Sequence, residues 1–238
     1  MIMKDSSSSR VLVLCALLAS SHAFQGPLRT PHSPPSALWA TAGRLAARPI
    51  GIGSSAPGTV ITNVDLEGVV ETSDEWIRTR TGIGQRRVLQ EKESLRALQV
   101  DAANKALEMA GVTAEEIDVV ICATSSPDDM FGDAPSVASE IGCSTNTVAF
   151  DLTAACSGFL FGTVTASQFL STSGGKALVI GADALSRWVD WDDRNSCILF
   201  GDGAGAMVLE SSSGADTAGV LGYAAHSNGK GYGDLNLG

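Results

Sequence analysis

Val148-Ala149-Phe150-Asp151-Leu152-Thr153-Ala154-Ala155-Cys156-Ser157-Gly158 passes from a short apolar run, through a turn of small residues, into the start of a helical pattern. That pattern continues from Ser157 to Ser173 and stops at Gly174-Gly175, a helix-ending pair. Upstream, Asp118 to Thr124 is a continuous β-branched and apolar run, the mark of a strand buried on both faces, and Ala177 to Ala182 repeats it downstream. Buried strands alternating with helices predict an α/β fold with crossover helices.

Working outward, Leu95, Leu98, Ala102 and Ala106 share one helical face that ends at Gly111, and Thr113-Ala114-Glu115-Glu116 opens a brief capped turn. Thr72-Ser73-Asp74-Glu75 reads as a capping box in which Thr72 caps and Glu75 reaches back, which places Trp76 in the first turns of a helix. Ile198 to Glu210 reads as a strand, a glycine turn at Gly201-Asp202-Gly203-Ala204-Gly205, and a second strand. These glycines lack the strand-to-helix setting of a dinucleotide fingerprint, and Gly51-Ile52-Gly53 fails likewise because position 56 is Ala. No nucleotide cofactor is implied.

Of the 26 acidic residues, all but Asp5 lie from Asp65 onward, against only 11 of the 16 basic ones, so the chain is set against nucleic acid as a general partner. The five cysteines form no CxxC pair and no cluster with histidine, so neither a zinc site nor a disulfide framework is expected, and a reducing compartment fits. The first 23 residues have a basic start, an apolar run from Val11 to Leu18 too short to span a bilayer, and small residues up to Ala23, the layout of a signal peptide. Residues 24–48 lack Asp and Glu and carry Arg29, Arg44 and Arg48 among Ser, Thr and Pro, the composition of a transit peptide. The junction Ser21-His22-Ala23-Phe24 resembles the bipartite presequences of algae with secondary plastids, which implies a plastid stroma and no membrane in the mature form.

A thiol just ahead of a helix faces unpaired N–H groups and the positive end of the dipole, which favours thiolate. Small neighbours on both sides of Cys156 leave room for an acyl group. On these grounds alone a nucleophile and a buried structural thiol stay equally open. Cys122 and Cys197, each placed in or at the start of an apolar run, read as packing.

Four segments, in order, decide between them: Thr72 to Ile83, Asp151 to Phe159, Asp193-Arg194, and Phe200-Gly201-Asp202-Gly203-Ala204-Gly205-Ala206. Together they resemble the β-ketoacyl-acyl-carrier-protein synthase III family of condensing enzymes. The resemblance implies a thiolase-like layered αβαβα fold, with an N-terminal thiolase-like domain over 49–213 and the start of a second half over 214–238. It also implies an acyltransferase of fatty-acid synthesis that takes acetyl-CoA onto Cys156 and condenses it with malonyl-acyl carrier protein, with coenzyme A entering as a substrate thioester rather than a cofactor. By the same resemblance Trp76 and Arg194 sandwich the coenzyme's adenine, while Arg80 and Thr72 meet its phosphate and pantetheine region. Phe131 lines the partner's acyl pocket across a homodimer interface.

The family's catalytic histidine and asparagine find no match up to Gly238, and His226 matches a different segment and reads as a loop residue. The expectation is therefore an incomplete chain that could be acylated but could not complete condensation. Hydroxymethylglutaryl-CoA synthases and polyketide-type synthases are the neighbouring enzymatic reading, which the Trp76–Arg80 segment with Asp193-Arg194 disfavours. A non-catalytic binding fragment is the remaining alternative.

Overall fold

A computed structural model describes residues 47–212, 219–220 and 222–234. The signal-peptide reading and all but the last two residues of the transit reading lie outside the described residues. Those last two, Ala47 and Arg48, already belong to the sheet: β1 spans Ala47–Ser55, Ala47 is buried, and Arg48 pairs with Glu210 at 2.8 Å. Strand β1 thus overlaps the segment read as transit peptide by two residues.

Five strands form one mixed sheet. β4 (Val119–Ala123) lies between β5 (Val148–Leu152) and β6 (Lys176–Ala184), parallel to both. β7 (Asp202–Ser211) runs antiparallel to β6 and to β1, giving the order β1-β7-β6-β4-β5. The period of two along a strand assigns the faces. Val120 and Cys122 of β4, Leu178 and Ile180 of β6, and Ala206 and Val208 of β7 pack in a cluster with α3 (Leu95–Ala110) and α4 (Ala134–Ile141). The alternate residues, Val119, Ile121, Ala177, Val179 and Leu209, pack with Ala166 and Leu170 of α5 (Gly158–Ser173). Helices on both faces bury β4 completely, as its unbroken apolar run requires.

β1 lies unusually close to α3. A Cβ on Gly51 would overlap the Ala106 carbonyl oxygen, and one on Gly53 the Ala102 carbonyl oxygen, so only glycine lets strand and helix backbones meet there. Outside the main sheet, β2 (Thr59–Thr62) and β3 (Gln85–Val88) pair antiparallel around α1 (Asn63–Leu66) and α2 (Asp74–Thr81). Leu66 and Ile77 there form a small core with Cys197 and Ile198.

Two local expectations are corrected. The cap of α2 is Ser73, whose hydroxyl accepts from the Trp76 amide at 3.1 Å, one residue later than the Thr72 box; an extended Ser73 presents its own oxygen to the first turn and leaves Thr72 outside it. The Gly201–Gly205 segment is no turn between two strands. Asp202 through Gly205 are the first rungs of β7, paired with Ala184–Gly181 of β6, while Cys197 and Ile198 sit in the turns before it. Alternating glycine and alanine read as a break, yet the flat rungs they make let β1 and β6 flank the strand on both sides.

Candidate active site

Cys156 occupies a short 3₁₀ turn, Ala155–Ser157, between the end of β5 and the start of α5. The corner is sharp. Ala154 has φ −153° and ψ 36°, and Ala155 has φ +45°, the only positive φ of a non-glycine residue among the described ones. An L-residue in that region stores about 1–2 kcal/mol, a strain typical of nucleophile corners. Gly158 follows, with Ala123 of β4 so near that an added Cβ would stand 3.1 Å from its methyl group. The turn is thereby pressed against the sheet.

α5 has no acidic residue in its first turn and no side chain capping it, so among the described residues no side chain competes with a thiolate for the amides at its start. The other described thiols sit in the opposite environment. Burial pushes the Cys122 thiol well up, helped by the charges of Asp151 and Asp133; burial also raises Cys143, and burial with the Asp193 charge raises Cys197. Cys156 alone among the four is exposed. It opens on a recess of about 480 Å³ whose walls include Phe159, Gly181, Asp183, Gly205 and Met207, mostly apolar apart from the carboxylate.

Trp76 and Arg80, four residues apart on α2, and Arg194, from a distant segment, meet in one cluster. The guanidinium carbon of Arg80 stands 4.3 Å, and that of Arg194 4.8 Å, from the Trp76 ring centroid, both within cation–π range. Arg80 also donates to the Trp76 carbonyl, and Arg194 to the Glu71 carbonyl at 3.0 Å. Thr72 lies between Glu71 and the α2 cap, its hydroxyl oxygen buried without a hydrogen-bond partner. This cluster does not line the recess at Cys156. Nor does Phe131, which projects with Met130 from the loop before α4; they are 92% and 87% exposed. His226 is exposed in an irregular segment.

That loop is tied down at its base. Arg187 grips Asp128 at 2.6 Å, the Arg96 amide donates to the same carboxylate, and Asp151 accepts from the Asp133 and Ala134 amides. Burial pulls the Asp128 carboxyl upward, but the Arg187 bond and the amides of Arg96 and Leu95 outweigh it and hold it below the usual range. Among the described residues no group of three His, Cys, Asp or Glu could hold a metal ion, and no helix is long and apolar enough to cross a membrane. Sequence reasoning missed Asp183, an acid at the end of a buried strand; its signal was a lone charge closing an apolar run.

Comparison with known proteins bears on the same segment. Residues 150–229, which hold Cys156 and Arg194, match the family described as 3-oxoacyl-[acyl-carrier-protein (ACP)] synthase III. A beta-ketoacyl-[acyl-carrier-protein] synthase III of Prochlorococcus marinus is 58% identical over 189 residues, which cover 79% of this chain and 55% of that protein. The chain is similar to the ketoacyl synthase III family. A chloroplastic synthase III of Arabidopsis thaliana is 53% identical over 188 residues, covering 79% of this chain and 46% of that protein. Among solved structures, the synthase III of Aquifex aeolicus superposes with a TM-score of 0.67 at 44% identity, covering 70% of this chain and 54% of that one. The chain shares the α/β architecture of those solved structures and spans about half the length of the curated relatives it matches.

Proposed function

We propose that this chain is the acyl-accepting part of a β-ketoacyl-acyl-carrier-protein synthase III that starts fatty-acid chains in a plastid. The Cys156 thiolate attacks the thioester carbonyl of acetyl-CoA; the Sγ–C bond forms, the C–S bond to coenzyme A breaks, and the coenzyme leaves as a thiolate that takes up a proton. The Trp76–Arg80–Arg194 cluster receives the coenzyme's adenine and phosphates, and Thr72 offers its unpartnered hydroxyl to the same ligand. In the second step malonyl-acyl carrier protein loses carbon dioxide, and the carbanion attacks the acetyl carbonyl and expels the Cys156 thiolate. The histidine and asparagine that stabilise that carbanion would come from the remaining length of the relatives.

The observation carrying the reading is the exposed thiol on a strained corner at an uncapped helix start, in a chain whose other described thiols are held protonated. The name of the Arabidopsis relative supports a plastid location, as does the presequence composition. A homodimer with Phe131 reaching across its interface would account for that residue's exposure. Intact-mass spectrometry of the whole chain with acetyl-CoA, beside Cys156→Ser, tests the first step. An acetyl mass increment only with Cys156 present is expected; a folded chain with no adduct sinks independent acylation.

A further inference from the structure

The ends of β4, β5 and β6 carry a polar knot that the acyl-transfer reading does not use. Thr124 and Ser126, which follow β4, are 4% and 1% exposed, so their polar atoms must be satisfied within the protein. Oδ1 of Asp183, near the end of β6, accepts from the Ser125 amide at 2.8 Å, from the Ser126 hydroxyl at 2.9 Å, and more weakly from the Thr124 hydroxyl at 3.4 Å. Ser126 Oγ in turn accepts from the Ala184 amide at 2.7 Å, and Thr124 Oγ1 from the Ser126 amide at 3.1 Å. One carboxylate oxygen therefore fixes the whole Thr124–Ser126 turn to β6.

The knot continues to the nucleophile. The Thr124 amide donates to the Leu152 carbonyl at 3.1 Å, and the Thr153 hydroxyl donates to the Thr124 carbonyl at 2.8 Å. Thr153 is the first residue of the corner that swings through Ala154 and Ala155 to Cys156. Among the described residues no other side-chain hydrogen bond holds residues 153–156, and the Ala155 backbone strain must be balanced by what clamps its ends.

We infer that Asp183 is a positioning residue for Cys156, acting through the Thr124–Ser126 turn and the Thr124–Thr153 bond to keep the thiol at the head of α5. Its role is that of an acceptor in fixed geometry. With Asp183 removed, the Ser126 hydroxyl loses its acceptor, the Thr124 carbonyl is free to shift, and the corner relaxes away from the helix amides. The inference rests on Cys156 being the nucleophile, but it needs no acyl-CoA to be tested.

The test is the rate at which iodoacetamide alkylates Cys156 in the folded, full-length chain, read by mass mapping of the Cys156 peptide. Asp183→Ala slows alkylation about two- to fivefold, the range that a typical helix-terminus interaction spans. Asp183→Asn, which keeps an acceptor oxygen in place, restores it to near the original rate. Thr153→Val slows it in the same way, Thr153→Ser rescues it, and the Asp183→Ala/Thr153→Val pair is no slower than the slower single variant, because both cut one linkage. Leu107→Ala, a core truncation in α3, lowers stability and leaves the rate unchanged. A folded Asp183→Ala chain that alkylates at the original rate overturns the inference, as does Asp183→Asn reacting as slowly as Asp183→Ala. If Asp183→Ala does not fold, the Thr153 variants decide in its place, and Thr153→Val reacting at the original rate overturns the inference equally. A chain that accepts no acetyl group yet shows this pattern of rates defeats the acyl-transfer reading and leaves the inference standing.

Discussion

Replacing Ala155 with glycine should stabilise the protein while making its nucleophile less reactive. Ala155 holds φ +45°, a region that costs an L-residue about 1–2 kcal/mol. Glycine enters that region freely but gives back about 0.5–1 kcal/mol through the greater freedom of its unfolded chain. The side chain is exposed, so removing its methyl group opens no cavity. The balance is a gain of roughly 0.5–1 kcal/mol. In a chain of this size that raises the melting temperature by about 1–4 °C. Urea titration of the whole chain should move the midpoint upward at constant slope, and iodoacetamide should alkylate Cys156 more slowly because a glycine corner no longer holds the thiol in one place. Ala155→Val should do the reverse to stability, since a β-branched residue fits the left-handed region worst. A loss of stability of about 1 kcal/mol or more in Ala155→Gly would refute the view that this corner stores strain.

Other perturbations separate the two centres. Trp76→Ala should weaken coenzyme A binding, measured by calorimetry, about tenfold, the worth of an aromatic face stacked with guanidinium groups, and leave Cys156 alkylation unchanged. The Asp128 carboxyl is held below its ordinary value in the folded state, so its contribution is complete above about pH 4 and is lost as the pH falls further. Arg187→Ala should therefore lower stability at neutral pH, where that contribution is complete, change it little in strong acid, and so flatten the acid limb followed by circular dichroism. A chain beginning at Pro49 loses the buried Ala47 and the first two rungs of β1 against β7, and should be less stable than one beginning at Ala47 by about 1–2 kcal/mol in urea.

Much of the sheet was legible because its signals are local. The run Val119–Ala123 is apolar at every position, so no face assignment was needed to read it as a strand, and Gly111, with φ +65°, ends α3 where a glycine was expected to. The position of Cys156 was legible for the same reason: turn, thiol and helix start are contiguous. β7 was misread because glycine and alanine carry no strand signal of their own, and their use there depends on Ser55–Gly53 and Gly181–Ala184 lying alongside, which only the assembled sheet provides. The cap of α2 slipped by one residue because Thr72 and Ser73 are equally able to cap. Which one does so is settled by the extended backbone of Ser73, φ −148°, and no composition rule encodes that.

Asp183 marks the limit of reading along the chain. Its partners are 57 to 59 residues away, and nothing near it in sequence asks for an acid at the end of a strand otherwise built of small apolar residues. The need arises only when β4, β5 and β6 end side by side and their closing turns bring buried hydroxyls and amides to one place. Such a knot follows from topology: parallel neighbours present the same ends together, so the loop that bears the nucleophile and the loops that brace it are sorted to one edge of the sheet. The local sequence around Cys156 places an exposed thiol at a helix start, and on the inference above the distant carboxylate sets how firmly that thiol is held.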